Sequence, residues 1–388
     1  MQVHQQKILN KKKKICLAFF TSTRGDISIL KPLIDRIKKN HKFSYKLFVH
    51  GTHLFKNYGN TINEIKENKI KISYSAKTIN KKDTQKEIAN SLLLTQKFSN
   101  YIFKKFYFDA IILLGDRLER LPIVSNAILY RKFLFHLHGG ELTYGALDDQ
   151  VRHVITKASH LHFPICEPYK NNIINMSEEK FRILVSGSLA IENLKKFINK
   201  EKNIKKTKVI LTYHPETLIN KFDWEKNFKQ ICNVLKMYNF QVIITSPGYE
   251  KGTNKNLLFI KKHIKKLKNF KFIPSLGFRR YFKILNNTKF VIGNSSSGII
   301  EVPYFRIPTI NIGTRQEGRY QHLSIINTKC TKSDIDKAIK VALSKKFCNK
   351  LLKMKLYFGD GKASRKILNF IYKRMQNQNK LINKKNKL

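Results

Sequence analysis

Short runs of β-branched and aromatic residues recur along this chain with helix-patterned stretches between them, and that alternation restricts the fold more than any other feature. In the first half the runs are ICLAFF, YKLFVHG, AIILLG, KFLFHLHGG, HLHFPIC and RILVSG. Strands alternating with amphipathic helices predict a parallel α/β sheet covered by helices. The pattern pauses at the lysine-rich KKFINKEKNIKKTK and restarts with KVILTYH, QVIITSP, KFIPS, KFVIGNSS and TINIG. The fold class is therefore α/β, with two doubly wound domains, and the 388-residue length suits two domains of ordinary size. The expected layout is a basic N-terminal arm at 1–13, a first domain at 14–192, a linker at 193–207, a second domain at 208–375 and a basic tail at 376–388.

Almost every distinctive polar cluster falls where an apolar strand ends and a helix begins. In open α/β sheets ligands bind at that carboxyl edge, so two such edges facing each other predict a cleft between the domains. The first strand exits into TSTRGD rather than GxGxxG, which removes the dinucleotide fingerprint from its expected place. Arg24, with Ser28 near it at the helix start, is a candidate for a phosphate or a uracil carbonyl. DAIILLGDRLER places Asp116, followed by Arg117, at a strand end, where an N-cap is the ordinary role for the aspartate. The next strand ends in HLHGGELTYGALDDQVRH, so Asp116 and His138 are expected at adjacent strand ends. LTYHPET sets His214 at the mouth of the second domain's first strand, as an acid/base or diphosphate-donor candidate.

The most informative segment of the second half is KFVIGNSSSGIIEVPYFRIPTINIGTRQEGR. Asn294, Ser295, Ser296 and Gly298 follow a strand and open a helix, and small residues there let N–H groups and hydroxyls approach an anion. Helix capping is the plainer role for these serines. Glu301 is placed to accept from a ribose diol, and Arg315 adds positive charge to the same edge. His136 and His138, expected on one strand face with Glu141 nearby, allow metal ligation in principle, but no zincin spacing is present and no metal site is assigned.

The strings LLGDR, HLHGGELTYGALDDQVRHVITKASHLHF, YHP, GNSSSGIIEVP, INIGTRQEGR and FGDGKASRK together resemble the hydrolysing UDP-N-acetylglucosamine 2-epimerases, bacterial enzymes of sialic-acid-type sugar synthesis. The resemblance covers nearly the whole chain. It implies a GT-B-like pair of Rossmann-like domains, with the nucleotide held mainly by the second. It also implies release of UDP and an N-acetylmannosamine-type sugar without a cofactor, and a homodimer or homotetramer. By motif, Asp116, Asp148 and Asp149 match the family's acid/base carboxylates, with Arg152 and His153 extending that segment. His214 matches its cleft histidine, Ser295 and Ser296 its diphosphate loop, Glu301 its ribose ligand and Arg315 its phosphate arginine. Two departures stand out: several relatives carry glutamate where this chain has His138, in a loop one residue longer here, and TSTRGD is looser than the usual first-strand motif.

The formal charge of +50 raises nucleic acid or an anionic membrane as partners, but the lysines are scattered through nearly every helix and loop. A solvated lysine-rich surface that attracts an anionic UDP-sugar is the expectation, with neither nucleic acid nor membrane as partner. Five widely spaced cysteines fit neither a disulfide framework nor a zinc knuckle and point to reducing cytoplasm. The apolar run after NKKKK is too short for a secretory core, and no stretch approaches the roughly 20 residues of a spanning helix. A GT-B glycosyltransferase is the alternative enzyme, distinguished by its need for an acceptor other than water. A basic nucleic-acid-binding protein is the remoter one, distinguished by steeply salt-dependent binding.

Overall fold

The computed structural model describes residues 14–80, 82–198, 206–216 and 223–384. The N-terminal arm, residues 199–205 of the linker and the last four residues of the tail lie outside the described residues, as do residues 81 and 217–222. The first sheet contains β1 (Ile15–Thr21), β2 (Phe43–Val49), β3 (Tyr74–Ser75), β4 (Ala110–Leu114), β5 (Phe133–Leu137) and β6 (Leu161–Phe163). The second contains β7 (Lys208–Thr212), β8 (Gln241–Ile244), β9 (Phe270–Phe272), β10 (Thr288–Gly293), β11 (Thr309–Ile312) and β12 (Ile325–Thr328). All pairings are parallel, in the orders β3-β2-β1-β4-β5-β6 and β12-β11-β10-β7-β8-β9. Counted within its own domain, each sheet therefore has the Rossmann order 3-2-1-4-5-6. The α/β reading holds, and the winding reverses between β1 and β4 and again between β7 and β10.

Both faces of each sheet are buried, which is why the strands read as continuous apolar runs. On β1, Leu17 and Phe19 join one core cluster while Cys16, Ala18 and Phe20 join the other. β7 divides in the same way, with Val209 and Leu211 on one face and Ile210 on the other. Each fully buried phenylalanine or leucine contributes roughly 1.5–3 kcal/mol of transfer free energy.

Two local outcomes differ from the sequence expectation. RILVSG makes only the bridge between His162 and Ile183. Its Arg182 is fully buried, donating to the carboxylate of Glu179 and to backbone carbonyls. The sixth strand of the first sheet is instead β3, a two-residue edge piece too short to leave a periodic signal. The second difference is at the C-terminus. The expectation carried the second domain to residue 375, whereas Ile367, Leu368, Ile371 and Met375 of helix Ala363–Met375 belong to the core cluster of β1 and helix Arg24–Lys38. The following helix, Gln378–Ile382, ends on Arg182, which donates to the carbonyls of Lys380 (3.2 Å), Leu381 (2.9 Å) and Asn383 (3.1 Å).

Arg182 thus supplies side-chain donors to carbonyls in the last turn of that helix. Arg182→Ala should destabilise the protein by about 2–3 kcal/mol, from unmet buried acceptors and lost packing. Chemical denaturation checks the magnitude. Hydrogen exchange should show protection lost first in residues 378–384.

Candidate active site

The first domain's side of the cleft is set by the turn after β1. Asp26 accepts from the backbone N–H groups of Ser22 (2.8 Å) and Thr23 (3.1 Å) and from buried Arg120 (2.7 Å). Burial opposes ionisation of Asp26, but Arg120 and the Ser22 N–H hold it far below the ordinary carboxylate range. That turn starts helix Arg24–Lys38 and sends Arg24 across the cleft, where it donates to the carbonyls of Ser246 (2.9 Å) and Pro274. Ser28 lines the cavity one turn further on.

Asp116 lies just past β4. Arg152 donates to it through Nε (3.0 Å) and Nη2, and also reaches the Glu141 carbonyl (2.7 Å), Asp149 (2.8 Å) and the Thr143 hydroxyl (3.1 Å). All five N–H groups of this fully buried guanidinium are engaged, so Arg152 braces the site rather than facing it. Burial raises the Asp116 carboxyl, but Arg152, Arg319 and Arg117 outweigh it and hold the group at about 2. The neighbouring aspartates separate. Asp149 accepts from the Thr143 N–H (2.6 Å) and lies 3.2 Å from His153, and neither Asp149 nor His153 lines the cavity. Asp148 does line it, and burial together with the carboxylates of Asp116 and Glu250 raises it to about 6, against Arg315 and Arg117.

The two histidines of the HLHGG run also part company. β5 ends at Leu137, and His138 takes a left-handed backbone (φ 64°), which breaks the strand alternation that placed both rings on one face. His136 is sealed between the Gly115 carbonyl (2.8 Å) and the Thr156 hydroxyl (3.1 Å), and burial drives it down to about 3. His138 lines the cavity, with Nδ1 3.5 Å from Glu141 and Nε2 3.3 Å from the Ser188 hydroxyl. The second oxygen of Glu141 pairs with Arg319 at 2.9 Å. Among the described residues no three His, Cys, Asp or Glu side chains converge as a metal site.

On the second domain, β10 ends at Gly293 with φ 129°, where a Cβ would lie 2.0 Å from the Thr212 carbonyl oxygen of β7. Only glycine lets the two strand ends approach so closely. The next residue, Asn294, is fully buried and brackets His214, accepting from its N–H (2.6 Å) and donating to its carbonyl (2.9 Å). Asn294 therefore positions the histidine from behind the cavity wall. Gly298 is also behind the wall, packed on Thr309. The His214 Nδ1 accepts from the Gly248 N–H at 3.0 Å, which leaves its proton on Nε2. Burial and the cations Arg315, Arg24 and Arg117 keep that ring neutral.

Ser295, Ser296, Ser297 and Glu301 line the same cavity, and the Ser297 hydroxyl lies 2.7 Å from that of Tyr281. Burial raises the Glu301 carboxyl. Arg315 reaches Asp148 (3.6 Å) and Glu250 (3.4 Å), while Arg117 pairs with Glu119 at 2.7 Å. Together these groups surround a volume of about 340 Å³ between the strand ends of both domains. Glu250, Tyr281 and the Thr245–Gly248 turn were not singled out from the sequence. QVIITSP did mark a strand end, and the strand-end rule applied to it would have found the turn.

Residues 35–372 match the family model for UDP-N-acetylglucosamine 2-epimerase. The chain is 35% identical over 348 residues to the GDP/UDP-N,N'-diacetylbacillosamine 2-epimerase (hydrolyzing) of Campylobacter jejuni subsp. jejuni serotype O:2, covering 87% of this chain and 89% of that protein. It is 29% identical over 362 residues to the UDP-N,N'-diacetylbacillosamine 2-epimerase (hydrolyzing) of Legionella pneumophila, covering 90% and 93%. The fold is similar to the crystal structure of UDP-GlcNAc 2-epimerase from Neisseria meningitidis bound to UDP-GlcNAc, with a TM-score of 0.76 at 16% identity over 93% of this chain and all of that one. With the family match covering residues 35–372 of the 388, the chain belongs to the UDP-N-acetylglucosamine 2-epimerase family.

Proposed function

We propose that the protein is a hydrolysing nucleotide-sugar 2-epimerase, taking UDP-N-acetylglucosamine or its diacetamido relative with water to an N-acetylmannosamine-type sugar and UDP. The observation that carries this reading is that Asp116 and Asp148 line one cleft in opposite settings: Asp116 is paired twice with Arg152, which holds its carboxyl down, whereas burial and the charge of Asp116 push the Asp148 carboxyl up. A base that must take a weakly acidic C2 proton and return one works best with an affinity near the operating pH. Asp148 meets that requirement. Asp116, paired twice with Arg152, stays ionised throughout and orients charge at the reacting carbons.

The second domain supplies the leaving-group side. Arg315, the Nε2–H of His214 and the hydroxyls of Ser295 and Ser296 are donors for a diphosphate, and Glu301 is an acceptor for a ribose diol. Asp148 removes the C2 proton, the C1–oxygen bond breaks with its electron pair leaving on UDP, and a C1–C2 double bond forms. Water then adds across the double bond, its oxygen at C1 and a solvent-derived proton at C2 from the face opposite Asp148, which inverts that centre, and Asp148 returns the abstracted proton to solvent. His138 and Arg319 face this end of the cleft. Nη1 and Nε of Arg319 are buried without a hydrogen-bond partner among the described residues, leaving donors for a sugar substituent. The names of the Campylobacter and Legionella relatives support testing diacetylbacillosamine beside N-acetylglucosamine.

Incubation with a panel of UDP- and GDP-sugars, followed by assay of released nucleotide, should show turnover with at least one 2-acetamido sugar and no need for an acceptor other than water. Absence of release across the panel would overturn the reading.

Asp148→Asn and Asp116→Asn should each lower turnover at least about 100-fold, with UDP affinity nearly unchanged in Asp116→Asn and not weakened in Asp148→Asn, which removes a competitor for Arg315. Since Asp148 must be ionised to act as base, kcat/KM should rise with pH and level off above about 6. The sign for stability runs the other way. A carboxyl raised in the folded state stabilises below its unfolded value and loses that contribution as pH rises through about 6, so Asp148→Asn should raise Tm at pH 8 relative to wild type but not at pH 4. Arg315→Ala should weaken UDP binding by about 2–3 kcal/mol in calorimetry. Unchanged affinity in a folded variant would remove Arg315 from the diphosphate site.

A further inference from the structure

Glu250 enters the cleft from the loop after β8, and the chemistry above gives it no role. Its carboxylate stands among groups that suit a polyanion, where a negative charge opposes binding unless it acts on one of the cations. Its neighbour is Arg315: Oε1 of Glu250 lies 3.4 Å from Nη2, and the same nitrogen lies 3.6 Å from Oδ2 of Asp148. One guanidinium thus stands between a carboxylate of each domain. The other oxygen of Glu250 is buried with no hydrogen-bond partner among the described residues. The loop itself is held, because the Glu250 N–H donates to the Thr253 hydroxyl (3.0 Å), which donates to the Gly248 carbonyl (2.8 Å).

Both contacts of Arg315 are longer than the roughly 2.7–2.9 Å of a close charge-assisted pair, so neither carboxylate holds the guanidinium tightly. A diphosphate offers more charge and a better geometry. The ionisable groups around Asp148 come from several elements. Asp116 and Arg117 follow β4, Asp149 and Arg152 share its helix, His138 and Glu141 follow β5, His214 follows β7, Glu250 follows β8, and Arg315 and Arg319 follow β11. Of the cations acting on it, Arg315 has the larger influence and Arg117 the smaller.

We propose that Glu250 is a positioning residue that shares Arg315 with Asp148, and that a bound nucleoside diphosphate draws the guanidinium away from both carboxylates, leaving Asp148 beside Asp116 and Glu250 as a better proton acceptor. The inference rests on the nucleotide reading above and adds a linkage to it: nucleotide binds together with a fraction of a proton. The base becomes strongest when there is a C2 proton to take.

The test is calorimetric titration of UDP into the full-length protein at pH 7 in buffers of different ionisation enthalpy, for wild type, Asp148→Asn and Glu250→Gln. Wild type should take up a fraction of a proton per UDP bound, and Asp148→Asn should lose that uptake while still binding UDP. Glu250→Gln should bind UDP several-fold more tightly, because a competitor for Arg315 is gone, and should take up less proton. In turnover, the wild-type acid limb of kcat should lie above that of kcat/KM, and the gap should narrow in Glu250→Gln. A merely structural glutamate would instead weaken binding when neutralised and leave the gap unchanged. UDP binding without proton uptake in wild type, or with equal uptake in Asp148→Asn, would overturn the linkage but leave the nucleotide reading standing. Failure of wild type to bind UDP would overturn both.

Discussion

The cleft depends on one buried cation. Arg152 carries a full charge into the interior of the first domain, a cost of several kcal/mol unless its donors are all met. They are met by Asp116, Asp149, the Thr143 hydroxyl and the Glu141 carbonyl, so a single guanidinium ties the end of β4 to the loop after β5 and to the helix Asp148–Ala158. By engaging Asp149 it also sorts the aspartate pair, one inward as a brace and the other toward the cavity. Asp116 is ionised because of Arg152, and Asp148 is hard to ionise partly because Asp116 is charged. The opposite characters of two chemically identical side chains follow from that arrangement.

A chain with 76 lysines and arginines and only 26 acids still places a dense set of carboxylates at its cleft. Asp116 and Glu141 each have an arginine within hydrogen-bond or ion-pair reach, and Glu119 beside the cleft pairs with the cavity-lining Arg117. This leaves the cavity polar and ordered, while the lysine-rich exterior attracts anions at long range. The second domain contributes a different kind of order. Asn294 fixes His214 from behind with its side-chain amide, and its backbone carbonyl accepts from Gln316 (2.7 Å), so one residue holds both the histidine and the loop carrying Arg315 in register.

The architecture was legible because parallel strands buried on both faces leave long apolar runs, and because polar residues at strand ends mark where such sheets bind ligands. The candidate residues Asp116, Asp148, His138, His214, Ser295, Ser296, Glu301 and Arg315 all line the cleft for that reason. Orientation was less legible. Which of Asp148 and Asp149 faces inward depends on Arg152. Asn294 stands behind the wall because its amide brackets the His214 backbone, and Gly298 because it packs on Thr309. His138 left the strand face through a positive φ that no local pattern announces. Glu250 escaped notice because an acid near an anion site gains meaning only from the contact with Arg315.

The central claim is that a carboxylate at the cleft exchanges the C2 proton of a nucleotide sugar while the C1–oxygen bond breaks. Turnover in deuterium oxide enriched in heavy oxygen, read by proton NMR and mass spectrometry, tests it directly. The account predicts a sugar with inverted C2 configuration carrying deuterium there and solvent oxygen at C1, together with UDP free of solvent oxygen. Solvent oxygen in the released UDP, or protium retained at C2 with the original configuration, would contradict it.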